Sequence, residues 1–322
     1  MAVIGLDLGG TKIAGAVFDT DGRIVAEHGV LLERRAGADV GALLVDALNR
    51  LMAQVPEIDA VGIAVPGISH AKTGRVWAPN IPGWNDYPLR DEIRAALSYE
   101  SVPVVVEADR SCCIMGEAWR GAARGCRNAV FLTVGTGIGA GILSDGRVVH
   151  GAHDIAGAAG WMALDRPWHE RYRAQGCFEH SASGDGMARY ARELLADRPS
   201  YRGALRDMDD EALTAHAVFA AYDEADEIAT AVLQRAVELW GMATANLVSL
   251  LDPERIIFGG GVFGPAVRFL DDIAREARRW AQPISMSQVV LAPSSLGGQA
   301  AVHGAGHFAL RAASASRTGD AA

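Results

Sequence analysis

Four cysteines are few for 322 residues, and Cys112, Cys113, Cys126 and Cys177 form neither a disulfide ladder nor a Cys-x-x-Cys pair. That excludes a disulfide scaffold and makes a reducing cytoplasm the expected setting. Cationic charge is also scarce: 30 Lys and Arg against 39 Asp and Glu leave a formal charge of −9. A nonspecific nucleic-acid surface needs clustered cations, so no nucleic-acid partner is expected. Each apolar run is broken by Gly or a charge before it is long enough to span a membrane, so no membrane partner is expected either. Met1 leads directly into a strand-like run, which predicts neither a targeting leader nor a preceding helix-turn-helix domain. Two familiar phosphate signatures, the Walker A loop and the dinucleotide Gly-x-Gly-x-x-Gly fingerprint, are absent from their required contexts.

Glycine, by contrast, is plentiful at 37 residues, and two clusters of it recur in the same setting. Val3 to Arg23 reads VIGLDLGGTKIAGAVFDTDGR. An apolar run carrying Asp7 meets the Gly9-Gly10-Thr11-Lys12 reversal, and a second apolar run leads to an Asp-Gly turn. Val130 to Arg147 reads VFLTVGTGIGAGILSDGR, with Gly135-Thr136-Gly137 at its reversal. Gly9, Ala14 and Gly15 are answered at one constant offset by Gly135, Ala140 and Gly141, whereas Asp7 is answered by Thr133. Each copy predicts two strands joined by a reversal whose missing Cβ atoms let backbone amides converge on an anion. A tight hairpin in a core sheet would explain either copy alone. Their duplication predicts two α/β halves gripping a polyphosphate, with a cation held from the first half only.

Other strand exits carry chemistry-bearing groups. Ala60–Val65 predicts a buried strand ending at Pro66-Gly67, a place for close substrate approach or an ordinary turn. The loop Val76–Asp86 offers Asn80 as a polyol partner and Trp84 as a pocket wall, though either residue would equally serve to support the loop. Glu107-Ala108-Asp109 follows the strand Val102–Val106 and precedes a helix over Arg110–Ala123. Asp109 is then either a cap at that helix N-terminus or a base of ordinary low pKa that accepts an alcohol proton. Glu179 is either an exposed first-turn acid or a carboxylate for two neighbouring hydroxyls. His153, His169, Cys177 and His180 are suitable zinc ligands by type but match no recognised finger spacing. Tyr222–Asn246 reads as one helix, Gly259-Gly260-Gly261 as a nucleoside seat or a helix entry, and Arg311–Ala322 as a frayed tail.

Taken together these motifs resemble the ROK (repressor, open reading frame, kinase) family of the actin-like hexokinase superfamily, along essentially the whole chain. Leu6–Lys12 is similar to its first phosphate motif, Thr133–Gly139 to its second and Gly259–Val262 to its adenosine-side loop. The resemblance implies an actin-like ATPase/hexokinase fold with an interdomain cleft. The domains would be 1–118, joined by a C-terminal helix over 300–312, and 119–299. It implies ATP as phosphoryl donor and Mg²⁺ near Asp7, directly or through water. The ATP-binding residues would be Gly9, Gly10, Thr11, Lys12, Thr136, Gly137, Gly259, Gly260 and Gly261. Asp109 falls on the catalytic aspartate, and Gly67, Asn80, Glu107, Ala158, Trp161 and Glu179 on the substrate side. A cytoplasmic homodimer is the family-level expectation.

The departures lie where substrate would be read. The usual Glu-Asn-Asp is Glu107-Ala108-Asp109, and the usual Gly-Glu-x-Gly-His-Met is Gly157-Ala158-Ala159-Gly160-Trp161-Met162. Of the family's zinc ligands only Cys177 remains, so no structural zinc is expected, with packing of Trp161, Tyr172 and Trp168 in its place. The implied activity is phosphorylation of a primary alcohol on a hexose-like sugar, a modified sugar or a cyclitol. A conventional glucokinase and a catalytically weak sugar sensor are the alternatives.

Overall fold

The computed structural model describes residues 2–97 and 102–318. Its first half is built on the strands β1 (Val3–Leu8), β2 (Lys12–Phe18), β3 (Ile24–Leu31) and β4 (Ala60–Val65). A small ribbon, β5 (Ile68–Ser69) and β6 (Val76–Trp77), follows, and β7 (Val104–Ala108) completes the half. The second half contributes β8 (Ala129–Val134), β9 (Ile138–Ser144), β10 (Arg147–Val148), β11 (Arg255–Gly259) and β12 (Val290–Pro293). The main sheets run β3-β2-β1-β4-β7 and β10-β9-β8-β11-β12, the same order twice. In each, an antiparallel meander continues into parallel strands. The repeated glycine pattern is thus a repeated sheet.

β1 and β4 are buried along nearly their whole length because helices cover both faces. On one face Ile4, Leu6 and Leu8 pack with Leu44, Leu48 and Leu51 of the crossover helix Ala38–Met52. On the other, Val3, Phe18 and Ala60 pack with Val302, Ala309 and Ala313 of the closing helix Ala300–Thr318. Each buried Val, Leu, Ile or Phe side chain among them contributes about 1.5–3 kcal/mol. The closing helix approaches so closely that a Cβ on Gly62 would stand 2.0 Å from the Ala305 carbonyl oxygen.

The helix Asp109–Arg120 leaves β7 and buries Ile114 and Met115 against Phe131, Leu143 and Ile257 of the second sheet. The closing helix makes the return journey, and the two helices pack on each other: a Cβ on Gly304 would meet the Cys112 carbonyl oxygen at 1.8 Å. Cys112 itself is buried among Ala64, Ala301 and Ala305, a packing role. This helix pair is the spine on which the two halves are hung.

Several local expectations are corrected. The stretch 311–318 is helical rather than frayed, with Ala313 buried and Arg317 paired to Asp59; Met1 and 319–322 lie outside the described residues. The single helix expected over Tyr222–Asn246 is two helices, Ala215–Asp223 and Glu227–Leu251. Asp226 divides them by accepting from the amides of Ile228 and Ala229 at 2.9 Å. Trp84 supports its loop instead of walling a pocket: it is fully buried, stacks on Tyr87 at 4.2 Å and donates to the Gly37 carbonyl at 2.9 Å. No helix among the described residues is long and apolar enough to cross a membrane.

Candidate active site

Parallel strands present their carboxyl ends at one edge, where open α/β sheets place ligands. Asp7 in β1, Gly67 after β4 and Asp109 after β7 therefore share an edge of the first sheet. The first hairpin is tied at its neck by the Gly9 amide donating to the Lys12 carbonyl at 2.9 Å, which leaves residues 10–12 as an exposed tip. Asn80 reaches that tip, its amide nitrogen 3.5 Å from where a Gly10 Cβ would lie.

The electrostatics place three charged groups together. The Asp7 pKa is raised to about 7, by burial first and then by the Asp109 charge, with Lys12 opposing both. Asp109 is not the cap of its helix, since Ala108 holds that position. Its carboxylate accepts the Arg110 amide at 2.6 Å. Burial pushes its pKa up, against the Arg110 charge and that hydrogen bond, so the expectation of an ordinary low pKa is corrected. The Asp109 carboxylate thus raises the proton affinity of Asp7, as like charges brought close together do.

The second hairpin is held differently. The Gly135 amide donates to the Gly137 carbonyl at 2.9 Å, and the Gly184 amide reaches the Gly135 carbonyl at 2.7 Å. Glu179 accepts from the Ile138 amide at 2.7 Å, with burial raising its pKa against that bond. A cavity of about 590 Å³ opens beside this hairpin, lined by Gly135, Thr136, Asp185, Arg189, Arg192, Thr214, His216 and Gly261. Of the three-glycine run only Gly261 faces it openly. A Cβ on Gly259 would strike the Phe131 ring at 2.3 Å, and one on Gly260 would meet the Val134 carbonyl oxygen at 2.4 Å. Asp185, Arg189, Arg192 and His216 were not singled out in the sequence. Their signal is slight: a Ser183 cap on the Gly186 amide, then arginines one helical turn apart.

On the expected substrate side, Gly67 sits at φ +89° and gives its carbonyl to Arg110 Nη1 at 2.7 Å. Glu107 is engaged by His150 Nε2 at 3.0 Å, and that hydrogen bond raises the histidine pKa. Ala158 is exposed. Trp161 and Trp168 are 57% and 66% exposed, so the packing expected of them is corrected. The segment that would surround a zinc is held by other means. Tyr172 is buried with His169 and His180 edge-on at 5.4 Å, and Arg189 donates to His180 Nδ1 at 2.9 Å. Cys177 is a lone buried thiol, and no group of three or more potential ligands among the described residues is arranged to hold a metal. The donor set does not fit a structural zinc.

The ROK family model matches residues 3–312. The chain belongs to the ROK family. It is 32% identical over 311 residues to a glucokinase of Halalkalibacterium halodurans, across 94% of this chain and 93% of that protein. It is 31% identical to an N-acetyl-D-glucosamine kinase of Pectobacterium atrosepticum, across 80% and 83%. The crystal structure of a ROK family glucokinase from Streptomyces griseus in complex with glucose and AMPPNP superposes with a TM-score of 0.78 at 28% identity, across 97% and 100%. Family and fold make this ROK protein an ATP-dependent carbohydrate kinase acting on a hexose-like substrate, on the duplicated actin-hexokinase architecture.

Proposed function

We propose that this kinase transfers the γ-phosphoryl group of ATP to a primary alcohol of a hexose-like sugar, modified sugar or cyclitol, with Asp109 accepting the proton. One observation carries the reading: the charges of Asp109 and Lys12 both act on Asp7 at a single edge of the first sheet. ATP phosphates would lie against the two hairpins, at Gly9–Lys12, Thr136 and Gly137, with the nucleoside toward Gly261 and the adjoining cavity. A Mg²⁺ arriving with the nucleotide would sit near Asp7, directly or through water, and neutralise charge on the phosphates. In the loose transition state of phosphoryl transfer the alcohol proton becomes acidic late. A partly buried Asp109 whose proton affinity is raised is well suited to receive it, provided the carboxyl is ionised beforehand. Protonation as pH falls through that raised pKa would remove the base.

Substrate would rest among Gly67, Asn80, Glu107, Ala158, Trp161 and Glu179. Ala108 and Ala158 offer no side-chain partner to ring hydroxyls, and each hydroxyl buried without one costs about 1–3 kcal/mol. That favours an aminosugar, a deoxy or anhydro sugar, or a cyclitol. The similarity to a glucokinase supports glucose as the second reading. A coupled ATP assay across these classes, with NMR of the product, separates them; absence of turnover on all would sink the kinase reading. Asp109→Asn is expected to keep nucleotide binding and lose about 10²–10⁴-fold in turnover. Unchanged turnover would remove Asp109 from its role.

A further inference from the structure

Arg110, directly after the base, is a feature that phosphoryl transfer by itself does not call for. It is partly buried, and its side chain runs past Gly157, where a Cβ would lie 3.4 Å from its Cδ. All of its guanidinium nitrogens are used. Nη1 donates to the Gly67 carbonyl at 2.7 Å, Nε to the Ala156 carbonyl at 2.9 Å and Nη2 to the Asp154 carbonyl at 3.2 Å. Gly67 belongs to the first half, whereas Asp154 and Ala156 belong to the loop that follows β10 in the second. A rigid planar fork is the side chain able to hold three fixed acceptors at once. The same seam carries further crossings: the Ala71 amide donates to the Asp154 carboxylate at 3.3 Å, His70 Nδ1 lies 3.9 Å from that carboxylate, and His150 Nε2 engages Glu107 at 3.0 Å.

We propose that Arg110 is a cleft-spanning positioning residue, which fastens the Gly67 turn of one half to the Asp154–Ala156 loop of the other so that sugar, base and phosphate align. The proposal rests on the kinase reading above. Because a misplacement of about 1 Å costs about 10²-fold in rate, the strap acts chiefly on turnover and on the coupling of ATP consumption to transfer.

The test compares the wild type with Arg110→Lys and Arg110→Gln, measuring sugar phosphate and ADP separately with the best sugar found. Both variants should lose about 10²-fold in kcat, with a smaller change in the nucleotide KM and a rise in ADP released per sugar phosphate. Lysine retains the charge but cannot reach three carbonyls, so full rescue by Arg110→Lys would overturn the strap. Coupled, wild-type-like turnover in both variants would do the same while leaving the kinase reading intact. If neither variant folds, hydrogen exchange on the wild-type protein decides. Adding sugar and a nonhydrolysable ATP analogue should protect 67–71 and 154–157 together, and protection of one segment without the other overturns the proposal.

Discussion

The two glycine hairpins share a sequence pattern but differ in charge and in how they are held. In the first, the strand carries Asp7, the tip ends in Lys12, and residues 10–12 are exposed. In the second, Thr133 stands where Asp7 would be, and the loop is locked from behind by the Gly184 amide and the Glu179 carboxylate. The register shows the same divergence: Leu8 pairs with Ile13 but Val134 with Ile138, so the second reversal is one residue tighter. Charge and openness sit on one side of the cleft, rigidity on the other. A duplicated fold can keep its backbone symmetry while reactivity collects in one copy, since a phosphate needs amides from both sides but a cation needs carboxylates from only one.

Exchanging the unmatched position in each copy gives the largest test of this asymmetry. Asp7→Asn should lower kcat by about 10²-fold, by removing the charge nearest the expected cation. Thr133→Val at the mirrored position should leave turnover near that of the parent. Equal losses would mean that both hairpins take part in the chemistry alike. Because the Asp7 pKa is raised to about 7, the Mg²⁺ concentration required for half-maximal activity should fall as pH rises through that value. A requirement flat from pH 6 to 8 would take Asp7 out of metal binding.

A smaller contrast concerns the loops themselves. A Cβ on Gly137 would lie 2.7 Å from Glu179 Oε2, whereas one on Gly10 would meet only Asn80 at 3.5 Å. Gly137→Ala must therefore displace the carboxylate that holds the Ile138 amide, at a cost of about 1–3 kcal/mol in urea unfolding. Gly10→Ala should leave stability unchanged. Equal stability in the two variants would show that the second hairpin is not locked as described.

Much of this was legible in the sequence because it depended on local spacing. Glycine reversals between apolar runs give hairpins, and an acid at a strand exit reaches the sheet edge whatever the helices do. What escaped depended on phase or on partners distant in the chain. The break at Asp226 was hidden because Ala221, Ile228 and Val232 are all buried on either side of it. Apolar spacing alone reads such a run as one helix. Of the three aromatics expected to pack in place of a zinc, Trp161 and Trp168 are exposed and Tyr172 alone is buried, against His169 and His180 with Arg189 on His180, partners that no periodicity marks. No spacing marks Arg110, whose three acceptors lie 43 to 46 positions away on two separate loops.

The Tyr172 segment also offers the mildest contrast, between two histidines that resist protonation on different halves. His180 lies beside Tyr172 in the second half, its pKa lowered to about 4 by burial first and then by Arg189, Arg171 and His169. His307 lies on the closing helix, lowered to about 4 by burial and then by Arg311 and Arg120. In the unfolded chain each takes up a proton near 6.5. The native state refuses it until about 4, so the unfolded state binds more protons throughout that window. Stability from both groups is therefore complete above pH 6.5 and falls as the solution is acidified toward pH 4. Below that value both states are protonated and the decline stops. His180→Asn should reduce by up to about one the protons taken up on unfolding between pH 6.5 and 4, read from urea midpoints at several pH values. His307→Asn should do the same independently, because the two sites share no partner. If the double variant flattens the acid limb no more than either single one, a single half governs acid unfolding and the two halves do not fail together.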